Sequence, residues 1–223
     1  MEFIEYPDHD MLMLSVAGKL SSQLGAALRR QEQVSLSVPG GTTPGPVFDT
    51  LSGVDLDWAR VYVVLNDERW VPLDHPRSNT ALLRARLFQN NAAAAHLIPL
   101  HADTATPEEA LDTLTEGLTP HLPLSVVLLG MGADMHIASL FPGADALEAA
   151  LVDDAPPLMA MRAPGAPEPR VTLTAPVLRA AMHLHILITG EEKRAALERA
   201  RKLTPTEAPV AAVLSDATVH WAP

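Results

Sequence analysis

The sequence predicts an α/β protein with a doubly wound, mostly parallel sheet and helices on both faces, Rossmann-like in plan. Three observations carry this reading. Strand-like apolar runs alternate with helix-like stretches almost throughout the 223 residues. Several runs, such as Arg60 to Leu65 and Ser125 to Leu129, lack the polar alternation of a half-exposed strand, as expected for strands covered on both faces. Four strands end in unusual polar or glycine-rich clusters, GGTTP, NDER, GMGADMH and TGEEK. In open α/β sheets, ligands bind beyond the carboxyl ends of the strands.

Each element has its own justification. Met1 to Tyr6 reads as an opening strand. Asp8 or Asp10 caps a helix through about Arg30, with Leu12, Val16, Leu20, Leu24 and Leu28 on one face. Val34 to Val38 is a strand, after which Thr43 fits an N-cap and Pro44 the first position of a helix to about Leu51. Arg60 to Leu65 is a strand, and Ser78 caps a helix to about Phe88. Leu97 to Leu100 is a minor strand, and Thr106-Pro107-Glu108-Glu109 starts a helix. Residues 125–143 form the centre of the chain: a buried strand, a glycine turn, then a helix-like stretch. Leu158 to Arg162 and Val171 to Leu173 flank a proline-rich loop, and Thr174-Ala175-Pro176 begins a short helix to about Ala181. His183 to Ile188 is a strand. Glu191 to Lys202 is a helix whose acidic start and basic end suit the macrodipole. Val210 to Leu214 reads as a late strand and Thr218 to Trp221 as an edge strand.

Composition bounds the function. The length suggests one domain spanning 1–223. No apolar run is read as long enough to cross a membrane, and the N-terminus lacks the order of a signal peptide. Cysteine is absent, which excludes disulfides and thiolate metal sites and is compatible with a cytoplasmic protein. A net charge of −11 argues against a general nucleic-acid or anionic-membrane surface. A small anion is still bindable by a few Arg and Lys side chains and backbone N–H groups.

The candidate chemistry lies at the strand ends. Gly40, Gly41 and Thr42 sit at a strand-to-helix junction, where glycines let backbone N–H groups approach an anion; an ordinary tight turn is the alternative. The stretch is not a P-loop, and Gly130-Met131-Gly132 is only a partial dinucleotide fingerprint, so no nicotinamide cofactor is expected. Lys193 stands in the first turn of a helix, where a cation opposes the dipole unless an anion offsets it; a solvated surface lysine is the alternative. His136 is the candidate general base, because imidazole titrates near neutrality, with Asp134 two residues away to orient it. Asp67, Glu68 and Arg69 read either as a substrate clamp or as a local ion-pair turn. Arg170 precedes an apolar run and faces either the cleft or solvent. His183 and His185 share a strand face without a third ligand, and no metal spacing is convincing.

Taken together, SVPGGTTP, LNDERWVPLDHPRSN, LLGMGADMHIASLFPG, PRVTLT and TGEEKRAAL, in that order, resemble the 6-phosphogluconolactonase family, within a larger group that includes glucosamine-6-phosphate deaminases. The likeness covers nearly the whole chain, and Ser139-Leu140-Phe141-Pro142-Gly143 favours the lactonases. It implies a glucosamine-6-phosphate deaminase-like fold and hydrolysis of 6-phosphoglucono-1,5-lactone in the oxidative pentose phosphate pathway. No cofactor or metal is implied, and the protein is expected as a monomer or small homo-oligomer. By matching motifs, His136 activates water with support from Asp134, and Asp67 and Arg69 line the substrate site. Gly40, Gly41, Thr42, Arg170 and Lys193 hold the phosphate. Two positions depart from the family: Met135 stands where glycine is usual and Ile137 where threonine is usual. If position 135 is left-handed, Met costs about 1–2 kcal/mol there. A deaminase-type enzyme and a non-catalytic sugar-phosphate sensor domain are the alternatives. Such sensors carry a DNA-binding segment, usually N-terminal, for which there is no room before the first strand.

Overall fold

The structure is a computed structural model describing residues 1–223. In chain order its elements are β1 (Glu2–Glu5), α1 (His9–Leu28), β2 (Val34–Val38), α2 (Gly45–Ser52), β3 (Val61–Leu65), β4 (Asp67–Arg69), α3 (Asn79–Arg86), β5 (His96–Ile98), α4 (Leu111–Leu118), β6 (Val126–Gly130), α5 (Leu147–Leu151), β7 (Leu158–Met161), β8 (Arg170–Leu173), α6 (Ala175–Arg179), β9 (His183–Thr189), α7 (Gly190–Ala200) and β10 (Ala217–Ala222). Local chemistry sets the clearest boundaries. The Asp8 carboxylate accepts the Met11 N–H at 2.8 Å and starts α1, and the Ser78 hydroxyl accepts the Ala81 N–H at 3.1 Å and starts α3.

Seven strands form one all-parallel sheet in the order β1-β10-β9-β6-β2-β3-β5. Parallel crossovers are right-handed, so the direction of each move along the sheet decides which face its helix covers. The connections β1 to β2 and β2 to β3 move one way, which puts α1 and α2 on the same face, where they pack on each other. The connections β5 to β6, β6 to β9 and β9 to β10 move the other way, which puts α4 and α7 on the opposite face. The neighbours β2 and β6 therefore send their chains to opposite faces, and a crevice opens between their carboxyl ends. The turns that follow these two strands are GGTTP and GMGADMH.

A second sheet, β4-β8-β7, is antiparallel. Asn66 joins it to the first: its N–H donates to the Val38 carbonyl, its carbonyl accepts from Leu173, and its amide donates to Ser37 Oγ at 2.7 Å. This small sheet carries Asp67, Arg69 and Arg170 to the mouth of the crevice.

Several expectations are corrected. Helix α2 starts at Gly45 after Pro44, without a side-chain cap, so Thr43 is not its N-cap. No helix follows β6 directly, because Met135 (φ 69°) and Ala138 (φ 48°) are left-handed and break any helical path. Residues 209–212 form a 3₁₀ turn rather than a strand; the Val210 N–H donates to the Met135 carbonyl and ties this turn to the loop after β6. Strand β10 lies inside the sheet between β9 and β1, with Val219, His220 and Trp221 buried, so β1 is the edge. Finally, α1 is long and apolar enough in composition to span a membrane, which the sequence reading denied. In this fold its Leu12, Val16, Leu20 and Leu24 side chains are wholly buried in the core.

Candidate active site

A cleft of about 230 Å³ opens at the carboxyl ends of β2 and β6. One wall is the turn after β2. Gly40 belongs there because a Cβ would lie 2.2 Å from the Asn79 side chain, and Gly41 because its φ is +83°. Gly40, Gly41 and Thr43 line the cleft; Thr42 does not. Of the two threonines, the structure places Thr43 and not Thr42 on this wall.

The opposite wall comes from the small sheet, where the period-2 alternation of β4 sorts NDER into two jobs. Asp67 and Arg69 share the cleft face, and Glu68 points the other way. Glu68 is fully buried and accepts from the backbone N–H groups of Arg69 (2.8 Å), Asn79 (2.8 Å) and Thr80 (2.7 Å) and from Ser78 Oγ (3.2 Å). A carboxylate there offsets the positive end of α3 and satisfies its unpaired donors. In register, Arg69 stands directly opposite Arg170. Like charges in that relation repel. Asp67 relieves the repulsion in part: its Oδ2 accepts from Arg170 Nη1 at 3.3 Å and from the buried Ser139 hydroxyl at 2.6 Å. The Nε–H groups of Arg69 and Arg170 are buried without a hydrogen-bond partner. Both arginines line the cleft, and their guanidinium groups are suited to an oxygen-rich or anionic ligand.

The turn after β6 supplies the acid–base pair. His136 Nδ1 lies 2.5 Å from Asp134 Oδ1, and Gly132 permits this contact: a Cβ there would lie 2.2 Å from Nδ1 and 2.4 Å from the carboxylate. A carboxylate bonded to Nδ1 requires the proton on that nitrogen, so Nε2 carries the lone pair in the neutral ring. The hydrogen bond from His136 holds the Asp134 carboxyl below its ordinary range, partly opposed by burial. Asp134 does not itself line the cleft, whereas His136 does. The loop is held by Gly132 N–H to the His136 carbonyl at 3.0 Å and by Ser139 N–H to Thr172 Oγ1 at 3.1 Å.

Lys193 closes the cleft from the first turn of α7. Burial pushes its ammonium below the usual lysine range, with Glu192 and Asp134 pulling it back up. The cleft is thus cationic in an acidic protein, with Arg69, Arg170 and Lys193 against Asp67 alone among its lining side chains.

Seven of the nine residues singled out from the sequence line this one cleft: Gly40, Gly41, Asp67, Arg69, His136, Arg170 and Lys193. Asp134 reaches it through His136. The sequence reading missed Thr43, Asn79, Ser139 and Thr172. Asn79 and Ser139 fall inside the motifs quoted above, but only the β4–β8 pairing gives them partners. The Thr172 hydroxyl gave no signal at all.

The profile of the glucosamine-6-phosphate isomerases/6-phosphogluconolactonase family matches residues 7–221. A 6-phosphogluconolactonase of Mesorhizobium japonicum is 40% identical over 98% of this chain and 94% of its own length. One from Pseudomonas aeruginosa is 39% identical over 93% of this chain and 89% of its own length. The crystal structure of a 6-phosphogluconolactonase from Shewanella baltica superposes with a TM-score of 0.96 at 34% identity, covering 100% of this chain and 98% of that one. A monomeric glucosamine-6-phosphate deaminase shares the fold, with a TM-score of 0.82 at 16% identity. Sequence and structure agree from end to end: this chain belongs to the glucosamine-6-phosphate isomerase/6-phosphogluconolactonase family.

Proposed function

We propose that this protein is a 6-phosphogluconolactonase that hydrolyses 6-phosphoglucono-1,5-lactone to 6-phosphogluconate in the oxidative pentose phosphate pathway, as one domain spanning 1–223 and acting in the cytoplasm as a monomer or small homo-oligomer. The observation that carries the reading is a carboxylate-bound imidazole and three cationic side chains at one cleft, in a chain whose relatives bear that enzyme's name.

In this reading the phosphate sits between Gly40, Gly41, Thr43 and Lys193, with Arg170 in reach. Backbone N–H groups and the ammonium supply remote binding energy that orients the lactone ring. His136 Nε2 removes a proton from a water molecule as the water oxygen attacks the lactone carbonyl carbon. Asp134 stabilises the imidazolium that forms. Negative charge develops on the carbonyl oxygen, and the Arg69 guanidinium offsets it. Collapse of the tetrahedral intermediate breaks the ring C–O bond. The proton held on Nε2 then passes to the departing ring oxygen, which leaves as the C5 hydroxyl. Asp67 acts by holding Arg170 and by hydrogen-bonding the sugar.

The test is hydrolysis of 6-phosphoglucono-1,5-lactone with the unaided reaction subtracted, run beside ammonia release from glucosamine 6-phosphate. Lactone turnover above the blank without ammonia release is expected. Ammonia release without lactone turnover would move the protein to the other branch of its family.

A further inference from the structure

We propose that Phe141 is a positioning residue that fixes the plane of the catalytic imidazole. The inference rests on the lactonase reading and adds a residue to which that reading assigns no role. His136 has one hydrogen bond to its ring, from Nδ1 to Asp134, and the Asp134 side chain is itself 53% exposed. The ring turns about its Cβ–Cγ bond, and one bond from Nδ1 to a half-exposed carboxylate checks that rotation only as firmly as the carboxylate is itself held. Rotation about the Cβ–Cγ bond reorients Nε2 and its lone pair. The Phe141 ring supplies the missing restraint: it stacks on the imidazole with centroids 4.2 Å apart and planes 29° apart. Bond and stack together fix both the direction and the plane of the Nε2 lone pair. A displacement of about 1 Å at a reacting atom costs up to 10²-fold in rate.

The same phenyl ring lies 5.2 Å beneath the Arg170 guanidinium. Arg170 is also bonded to Asp67 and Ser139, so the ring is not its only restraint. The loop backbone on either side of His136 is also left-handed, at Met135 and Ala138. A loop held in two disfavoured conformations needs side-chain anchors, and Phe141 is the aromatic one.

The experiment compares wild type, Phe141→Leu and Phe141→Tyr by kcat, KM, thermal midpoint and the His136 Cε1–H resonance in protein labelled with ¹³C-histidine. Phe141→Leu keeps an apolar side chain but loses the flat surface. We expect its kcat to fall about tenfold or more, with KM within about threefold of wild type. Phe141→Tyr keeps the ring and should retain wild-type kcat. The His136 signal, shifted by the stacked ring in wild type and Phe141→Tyr, should move toward that of a free histidine in Phe141→Leu. Equal kcat in all three proteins, a loss confined to KM, a loss in Phe141→Leu matched by an equal fall in Phe141→Tyr, or an unmoved His136 resonance would overturn the assignment. If Phe141→Leu fails to fold, the resonance and kcat of Phe141→Tyr decide: values unlike wild type reject it. Absence of lactone turnover by wild type would remove the lactonase reading itself and this inference with it.

Discussion

His136 has its position because three small facts coincide: no side chain at Gly132, a carboxylate at Asp134 and a left-handed turn at Met135. Removing the imidazole by His136→Ala should lower kcat by about 10²–10⁴ with little change in KM, measured by blank-corrected lactone hydrolysis. A kcat near wild type would remove His136 from the chemistry. Lys193 makes a different prediction. Burial lowers its pKa, so the folded state holds the charged ammonium less well than the unfolded chain does. Lys193→Met should therefore leave the ligand-free protein as stable or more stable in thermal melts while raising KM severalfold. A lower melting temperature with unchanged KM would make Lys193 structural. At this scale the sequence was readable where chemistry and spacing coincide, as in Asp134-x-His136. It was less readable at Thr42 and Thr43, because neighbouring residues differ only in which way the turn aims them.

At the scale of elements, the three residues of β4 divide the work. Asp67 and Arg69 face the cleft, and Glu68 anchors α3. Glu68→Ala leaves several buried N–H groups unpaired and should destabilise the protein by roughly 2–4 kcal/mol in urea unfolding. A loss below about 0.5 kcal/mol would mean that water or a neighbouring group replaces the carboxylate at little cost. The small antiparallel sheet was not legible in the sequence, since β4 and β8 are short and lie about a hundred residues apart. No local pattern announces a pairing between two such segments. The strand-to-helix alternation that predicted the large sheet is local, which is why that sheet was legible.

The β9–β10 pair is the buried centre of a chain of hydrogen bonds running Tyr6–His220–His185–Gln23, with contacts of 2.9, 3.0 and 2.8 Å. Burial pushes His185 down to about 3 and His220 down to about 4, with further lowering from Lys19 in both, from His220 and His183 in the case of His185, and partial opposition from Glu2 at His220. Both rings are thus neutral in the folded protein while the unfolded chain takes up protons from about pH 6.5 downward. By linkage, the pair's contribution is fully present above that pH and is lost as the pH is lowered through about 4 toward about 3. Urea unfolding at pH 7 and pH 5 should give a clearly lower free energy at pH 5. No fall until the carboxylate range is reached would contradict the neutral pair.

At the scale of the molecule, function follows from strand order. Because β2 and β6 are neighbours with opposite exits, two turns about ninety residues apart in sequence meet at one crevice, and the small sheet brings Asp67, Arg69 and Arg170 to the same place. An acidic protein thereby concentrates three cations where a phosphorylated ligand is expected to sit. The carboxyl-end rule pointed to the turns after β2 and β6, while the pairing of the GGTT turn with the imidazole came from the family resemblance. The inner position of β10 was not legible, because a strand's neighbours are a property of the whole topology. The central claim is that a phosphate grip positions a lactone beside His136, and the most direct measurement is kcat/KM for 6-phosphoglucono-1,5-lactone against unphosphorylated glucono-1,5-lactone, each corrected for spontaneous hydrolysis. The account predicts a preference for the phosphorylated substrate of at least about a hundredfold, abolished in large part by Lys193→Met; equal efficiency on the two lactones would contradict it.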